Sequence, residues 1–461
     1  MNPDAADVLS RVERDAIDTI RLSFPDPHGL LRGKTVDAGA LSGAFRDGIA
    51  TVTTLLSKDT SGRTVFPTFS PGGGVGLAEM AGAGDMLMIP DPSTFRVLDW
   101  AGPTGWMLCD LVFPSGAPVP FCSRTALRRA VAAAATRGFE VVTGLEVEFH
   151  VFRLADPDHV VPGQPPDPPA VLPLTGGYQL LSEDAGDRWE PVLALFRDHL
   201  ARVGITLHSA EVEFGPSQLE VTLPAVAGMA AADTMVLLRS TLRQVGRRHG
   251  YHVTFMCRPQ LPATCSSGWH LHQSLRDSGG NAFVPDDPAA LLSKTGRQFV
   301  AGQLTHARAA CAFAAPTING YKRFLGAPMA PDRVVWARDD RSALVRVVGD
   351  AEAGTTHIEN RIGEPAANPY LYLASQLHAG LDGIDHALDP GPPADIPLAT
   401  DAPRLPGSLG EALTALEADT VLTAAMGEAL TAHHVALKRA EIARFEATVT
   451  DWEHREYFDL L

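Results

Sequence analysis

Acidic side chains spaced by two among apolar neighbours are the first sign of chemistry in this sequence. In GLEVEFHVF, Glu146 and Glu148 alternate with Leu145, Val147 and Phe149. A strand has a side-chain period of two, so both carboxylates share one face and the apolar residues take the other. AEVEFGPSQLEV adds Glu213 and Glu220, and SSGWHLHQSL puts His270 and His272 on one face. THIENRIGEPAANPY places Glu359 and Arg361 together, with Ile358 and Ile362 opposite. Taken singly, each such strand is more often a solvated sheet face. Taken together, five converging carboxylates repel strongly unless cations balance them, because buried unpaired charge is costly. Oxygen ligands with one or two imidazoles suit hard divalent cations, Mg²⁺ or Mn²⁺, rather than a thiolate zinc site. Arg323, Arg341, Arg346 and Arg361 lie in the same third of the chain as His270 and Glu359. Carboxylate-held metals facing guanidinium groups are what phosphoryl transfer requires: metals bridge phosphate oxygens while arginine neutralises developing charge.

The elements that must position these residues are legible in outline. At 461 residues the chain is too long for one small core, so two domains are expected. A strand is predicted from Thr19 to Phe24, leading into the turn Pro25-Asp26-Pro27-His28-Gly29. The Gly-rich stretch SPGGGVGLAEMAGAGD at 70–85 lacks the Lys-Ser/Thr of a P-loop and reads as a connector. Ser123 is a good N-cap for a helix through LRRAVAAAATR that stops at Gly138. The segment Pro114 to Pro120 before it marks the expected boundary between residues 1–115 and 116–461. Pro-rich surface loops are expected at Asp156 to Pro173 and Asp389 to Pro397, and helices from Ser408 to about Val449. This mixture predicts an α+β fold with substantial antiparallel sheet rather than regular βαβ alternation.

Composition narrows the partners. A formal net charge of −16 argues against nucleic acid or an anionic membrane, since both need a basic face. Cys109, Cys122, Cys257, Cys265 and Cys311 are scattered without a CxxC pair, which fits a reducing compartment. The N-terminus is acidic and amphipathic with no continuous apolar run, so a cytoplasmic enzyme is the expectation.

In their order along the chain, GLEVEF at 144–149, NGYKRF at 319–324, WARDDRSALVR at 336–346, ENRIGEPAANPYLYLAS at 359–375 and LPGSLGEAL at 405–413 resemble the glutamine synthetase superfamily. SFPDPHGLLRGK resembles, more loosely, that family's small N-terminal β-grasp domain. The resemblance implies a catalytic domain built on a curved antiparallel sheet, a half-barrel flanked by helices. It also implies an ATP-dependent ligase that phosphorylates the γ-carboxylate of glutamate and passes the acyl group to an amine. Glu148, Glu213 and Glu220 would hold one Mg²⁺ or Mn²⁺, and Glu146, His270 and Glu359 a second, with two or three ions per site. His272 and Ser274 would approach ATP. Arg323 would hold the reacting carboxylate, Arg341 and Arg346 the transferred phosphoryl group, and Arg361 the α-carboxylate of glutamate. Tyr178, in GGYQ, and Glu213 would flank the amine. The resemblance further implies a homo-oligomer, a dodecamer of two hexameric rings in which a neighbour's N-terminal domain completes each site.

The departures from the family pattern decide which reaction is expected. Met329 stands where ammonia-using relatives carry a flap Glu that helps bind ammonium. A thioether cannot pair with ammonium but packs well against carbon. Amine-ligating relatives, such as those making γ-glutamyl-polyamines or γ-glutamylanilide, resemble the chain's wording more closely, so a carbon-bearing amine is expected. His357 replaces an Arg at the nucleotide, Gly354 replaces a frequent Lys, and Cys265-Ser266 replaces an Asn-Gly that helps hold glutamate. The loop near Pro390 has no Tyr, so adenylylation control of the usual kind is not expected. An ordinary ammonia-using synthetase and a catalytically inactive ring-forming homologue stay open as alternatives on sequence alone.

Overall fold

Alternation in TIRLSFP turns Ile20, Leu22 and Phe24 fully inward and builds the first strand. The structure is a computed structural model that describes residues 3–157, 167–287, 289–325 and 329–461. Part of the loop predicted at Asp156 to Pro173 and part of the flap, residues 326–328, lie outside the described residues. The first strands are β1 (Thr19–Pro25), β2 (Leu31–Asp37), β3 (Ile49–Val52), β4 (Asp85–Pro90), β5 (Arg96–Val97) and β6 (Thr104–Val112). They form one sheet in the order β2-β1-β6-β4-β3, with β5 on β6; β1 and β6 run parallel and the other pairs antiparallel. Phe24, Met86, Met88, Met107 and Leu111 pack into a core separate from that of the rest of the chain.

The larger sheet follows: β7 (Glu140–Leu154), β8 (Val171–Pro173), β9 (Ser209–Val212), β10 (Gln218–Ala227), β11 (Tyr251–Thr254), β12 (Trp269–Asp277), β13 (Gly280–Asn281), β14 (Trp336–Arg338), β15 (Val345–Val348) and β16 (His357–Gly363). Its order is β14-β15-β16-β12-β7-β10-β9, and only the β14–β15 pair is parallel among the described residues. Val147, Phe149, Trp269, Leu271, Ile358 and Ile362 join one core with the helices Ala230–Arg248 and Pro369–Asp385. The fold is thus mixed α+β, as its composition of elements predicted. The Ala-rich helix spans Ser123–Ala135, but Cys122 is its N-cap and makes no side-chain capping bond; Ser123 lies inside the helix. Among the described residues no helix is long and apolar enough to cross a membrane.

Polar contacts join the two sheets, those of Arg124 and Asn368 among them. Arg124, buried in the Ala-rich helix, donates to Asp91 at 2.6 Å and Asp110 at 3.0 Å in the first unit. It also donates to Asp233 at 3.0 and 2.8 Å in the second. Gly29, at φ +76°, lets the turn after β1 press on the start of the helix Pro369–Asp385: an added Cβ would lie 3.0 Å from the Cα of its N-cap, Asn368. Asn368 in turn donates to the Asp26 carbonyl at 3.1 Å.

His306 links three helix ends by hydrogen bonds to Asp419 at 2.6 Å and Asp382 at 3.0 Å. Burial alone would lower its pKa, but the two carboxylates outweigh burial and raise it.

Removing the guanidinium in Arg124→Met leaves three carboxylates without their shared cation, so unfolding free energy should fall by about 3–5 kcal/mol in urea titrations. For His306 the folded pKa lies above the unfolded one. Its contribution is therefore full below about pH 6.5 and fades as pH rises through the folded value. The stability gap between the wild-type chain and His306→Gln should accordingly shrink from pH 6 to pH 9; a gap that widens with pH contradicts the assignment.

Candidate active site

The sheet register lines the acidic and basic side chains into one row. Arg346 pairs with Glu359, Glu359 with His272, His270 with Glu146, Glu148 with Glu220, and Glu220 with Glu211. Residues directly opposite in an antiparallel pair point to the same face, so six adjacent strands contribute to one surface. On β7 the face alternates as sequence periodicity requires, with Glu146 and Glu148 partly accessible around buried Val147.

His270 sits at the centre. Its Nδ1 meets Glu146 Oε1 at 2.5 Å and lies 3.5 Å from Glu359 Oε1, while its Nε2 lies 3.9 Å from Glu148 Oε1. Among the described residues, two groups have ligand atoms all within 4.8 Å of one another: Glu146, His270 and Glu359, and Glu148, Glu220 and His270. The first is the set the sequence assigned to one ion. The second differs from expectation, since His270 completes it where Glu213 was expected. Glu213 follows the end of β9, and its carboxylate accepts from the Phe214 N–H at 3.0 Å. Its charge still reaches the group, because burial and Glu213 together push the Glu148 carboxyl up to about 8.

Electrostatics test whether metal ions fit these donors. Burial, then the charges of Glu146, Glu148 and Glu213, push Glu220 up to about 10. Burial also opposes the charge on Glu146, but hydrogen bonds from His270 and His272 hold that carboxyl well below the usual range. A hard divalent cation among oxygen donors and one imidazole would offset the repulsion that raises Glu148 and Glu220, so the donor set fits such an ion.

Guanidinium groups border the cluster. Arg323, in the turn Gly320–Phe324, donates to the Arg361 carbonyl at 2.9 Å and reaches His270 Nε2 at 3.3 Å. Gly268 permits that approach, since a Cβ there would lie 2.7 Å from Arg323 Nη2. Arg346 donates to Glu359 Oε2 at 3.0 Å and to Asp339 at 3.0 Å. Arg361 pairs with Glu359 and donates to the Met329 carbonyl at 3.4 Å, while its buried Nε has no partner among the described residues. Arg341 is exposed and is felt through its charge on Asp339, outside the direct contacts.

The remaining expected residues fall around this centre. His272 reaches Glu146 Oε2 at 3.2 Å, and Ser274 follows two residues later on the same face of β12. His357 hydrogen-bonds His272 at 3.0 Å, so an imidazole pair stands where the resemblance placed an Arg. Exposed Tyr178 donates its N–H to the Phe214 carbonyl at 2.6 Å and stacks edge-on against the Phe214 ring, centroids 4.9 Å apart, beside Glu213. The Ser266 carbonyl accepts from Gln218 at 3.3 Å, and Met329 is exposed.

Several neighbours were not among the residues singled out from the sequence. Buried Gln218 donates to Glu148 Oε2 at 3.0 Å and to Ser267 at 3.0 Å, and accepts from Gly215 N–H at 2.9 Å. Glu211, opposite Glu220, adds a further carboxylate. Asp339 holds Arg346 from outside the sheet. Period-two reasoning applied to AEVEF reaches Glu211, whereas Gln218 shows itself only through its contacts.

Residues 120–457 match the family described as the glutamine synthetase catalytic domain. The chain belongs to the glutamine synthetase family. It is 40% identical to the γ-glutamylanilide synthase of Acinetobacter sp, covering 99% of this chain and 96% of that protein. It is 33% identical to the glutamine synthetase of Halobacterium salinarum, with 98% and 96% covered. The ligand-free structure of GmaS superposes with a TM-score of 0.84 at 30% identity, covering 98% of this chain and all of that one. Family members are ATP-dependent carbon–nitrogen ligases that use divalent metals, and this chain is such a ligase.

Gln218→Ala leaves every proposed ligand in place but frees the Glu148 carboxylate. Mn²⁺ affinity, followed by electron paramagnetic resonance, should weaken about 10–100-fold, the range typical of lost outer hydrogen bonds.

Proposed function

We propose that this glutamine synthetase family member joins the γ-carboxylate of glutamate to a carbon-bearing amine, with ATP cleaved to ADP and phosphate. The observation that carries the reading is the single row in which Glu146, Glu148, Glu220, His270 and Glu359 meet within reach of Arg323, Arg346 and Arg361. Glu146, His270 and Glu359 would hold one Mg²⁺ or Mn²⁺. Glu148 and Glu220, with Glu213 closing in, would hold another. The ions would supply charge neutralisation at the phosphates. His272 and Ser274 would face ATP, with His357 fixing His272.

The protein's own part is positioning. Arg323, buried and anchored to two carbonyls, offers its remaining donors to the reacting carboxylate. The unpartnered Arg361 Nε would donate to the α-carboxylate, and Ser266 would serve the acid side. Arg346, and Arg341 once the site closes, would neutralise the phosphoryl group in flight. An acyl phosphate must be kept from water, which gives the flap carrying Met329 its use. Glu213 would take the amine's proton as the amine attacks, beside Tyr178 and Phe214.

The amine is assigned from Met329 and from the 40% identity to a γ-glutamylanilide synthase. A thioether and two exposed rings offer an apolar amine a surface to pack on. The domain division is residues 1–115, a β-grasp unit, and 116–461, a catalytic unit on a half-barrel sheet. The assembly proposed is a dodecamer of two hexameric rings in the cytoplasm.

Phosphate release with glutamate, Mg²⁺, ATP and a panel of aryl, alkyl and polyamine substrates tests the assignment. At least one carbon-bearing amine should exceed ammonia in kcat/KM; ammonia exceeding all of them overturns the reading. Met329→Glu adds a carboxylate able to pair with ammonium, so the kcat/KM ratio should move toward ammonia by roughly tenfold to a hundredfold.

A further inference from the structure

A large cavity lies away from the acidic row, between the turn after β1 and the helix Ala230–Arg248, with a volume of about 1070 Å³. Its wall carries Arg239, Arg243 and Arg247, spaced by four on one helix face, and Arg248 beside them. Like charges at that spacing destabilise a helix unless something opposes them. Asp156 and Asp167 at the rim are the acidic residues that face them from the lining. The side chains of Arg243 and Arg248 make no hydrogen bond or ion pair among the described residues, and the buried Nε of Arg239 has no partner there either.

The other contacts position the arginines, and the charge of Glu364 is felt at Arg239. Arg239 donates to the Ala367 carbonyl at 2.7 Å and lies over the rings of Phe255 at 5.7 Å and Trp269 at 5.4 Å. Arg247 donates to the Pro157 carbonyl at 3.0 Å. Carbonyl dipoles and ring faces fix a guanidinium without cancelling its charge. His252 in the same wall senses the result: burial first, then the charges of Arg243 and Arg247, lower its pKa. A concave wall of one sign focuses potential, and in a chain of net charge −16 such a concentration is local.

We propose that this cavity is a binding site, separate from the carboxylate row, for a small anion bearing two or more carboxylate or phosphate groups. Planar guanidinium forks match either oxyanion bidentately, and three turns of helix present them along one line. Leu30 and Tyr251 close its sides and leave room for an apolar body between the charged groups. The site is independent of which amine the enzyme uses.

The test is isothermal titration of the full-length protein, with Mg²⁺ and ADP present to occupy the nucleotide site, against sulfate in one arm and tricarballylate in the other. Binding of either anion at one per chain is expected. Sulfate alone points to phosphate-bearing ligands and tricarballylate alone to polycarboxylates. Arg243→Glu should weaken binding about tenfold or more, the effect of reversing one contacting charge. Exposed Arg248→Glu serves as a second variant, and Arg341→Ala should leave affinity within about twofold because that residue is outside the cavity. Failure of both anions to bind overturns the proposal. So does binding that both charge reversals leave unchanged.

Discussion

Repulsion among carboxylates gathered on one sheet face is the constraint around which this structure is organised. Glu146 and Glu148 on β7, Glu220 on β10 and Glu359 on β16 share a single sheet, with β12 between β7 and β16, and Glu211 and Glu213 stand just beyond. Partly buried like charges at such separations raise one another's pKa values by several units. Their close placement is tolerable only because opposite charge is built into the same surface. His270 and His272 hold Glu146 ionised, Arg346 and Arg361 flank Glu359, and Arg323 approaches from behind His270. Among the described residues, Glu148 and Glu220 have no ion pair closer than the 3.9 Å approach of His270 to Glu148, and burial with the neighbouring carboxylates pushes them up to about 8 and about 10. The unbalanced half of the row is therefore the half with most to gain from a divalent cation.

Rigid elements hold that arrangement. Cross-strand pairing places each charged side chain opposite a defined partner, so a one-residue slip would turn the whole row into the core. The apolar side of the same strands, with Val147, Trp269, Leu271 and Ile358 fully buried, prevents such a slip. Loops then bring what the sheet cannot: Arg323 from the turn after a helix, Glu213 and Tyr178 from connections, and Met329 from the flap. The residues proposed to tell one amine from another thus lie on connections, and the proposed metal ligands Glu146, Glu148, Glu220, His270 and Glu359 on strands, a division common to enzymes that vary their substrates.

The basic cavity presents the opposite electrostatic situation on the same chain. There the arginines outnumber the facing carboxylates, and their fixed contacts are carbonyls and rings. Because the Ala367 carbonyl held by Arg239 follows β16, the two charged regions are mechanically adjacent though chemically separate.

The sequence by itself determined that Glu146 and Glu148 share a face, that His270 and His272 do, and that Glu359 and Arg361 do. Those relations are local, and a period of two sets them before any tertiary contact forms. It also determined the α+β character, through the contrast between alternating segments and the Ala- and Leu-rich helical ones. Which strands lie side by side was decided only by the tertiary structure. Glu220 faces Glu148 and Glu211 because β10 sits between β7 and β9, and His270 completes a second ligand group because β12 borders β7. Gln218 could not be recognised as the support of Glu148, nor Asp339 as the partner of Arg346, since an uncharged amide and an exposed Asp carry no periodic signal. Ser123 looked like a helix cap by residue type, but packing buried it and left the cap to Cys122. The cavity's arginines were present in the sequence as an i, i+4, i+8 series indistinguishable from a solvated helix face. Only the approach of the turn after β1 made that face concave, because the field of a charged surface depends on what encloses it.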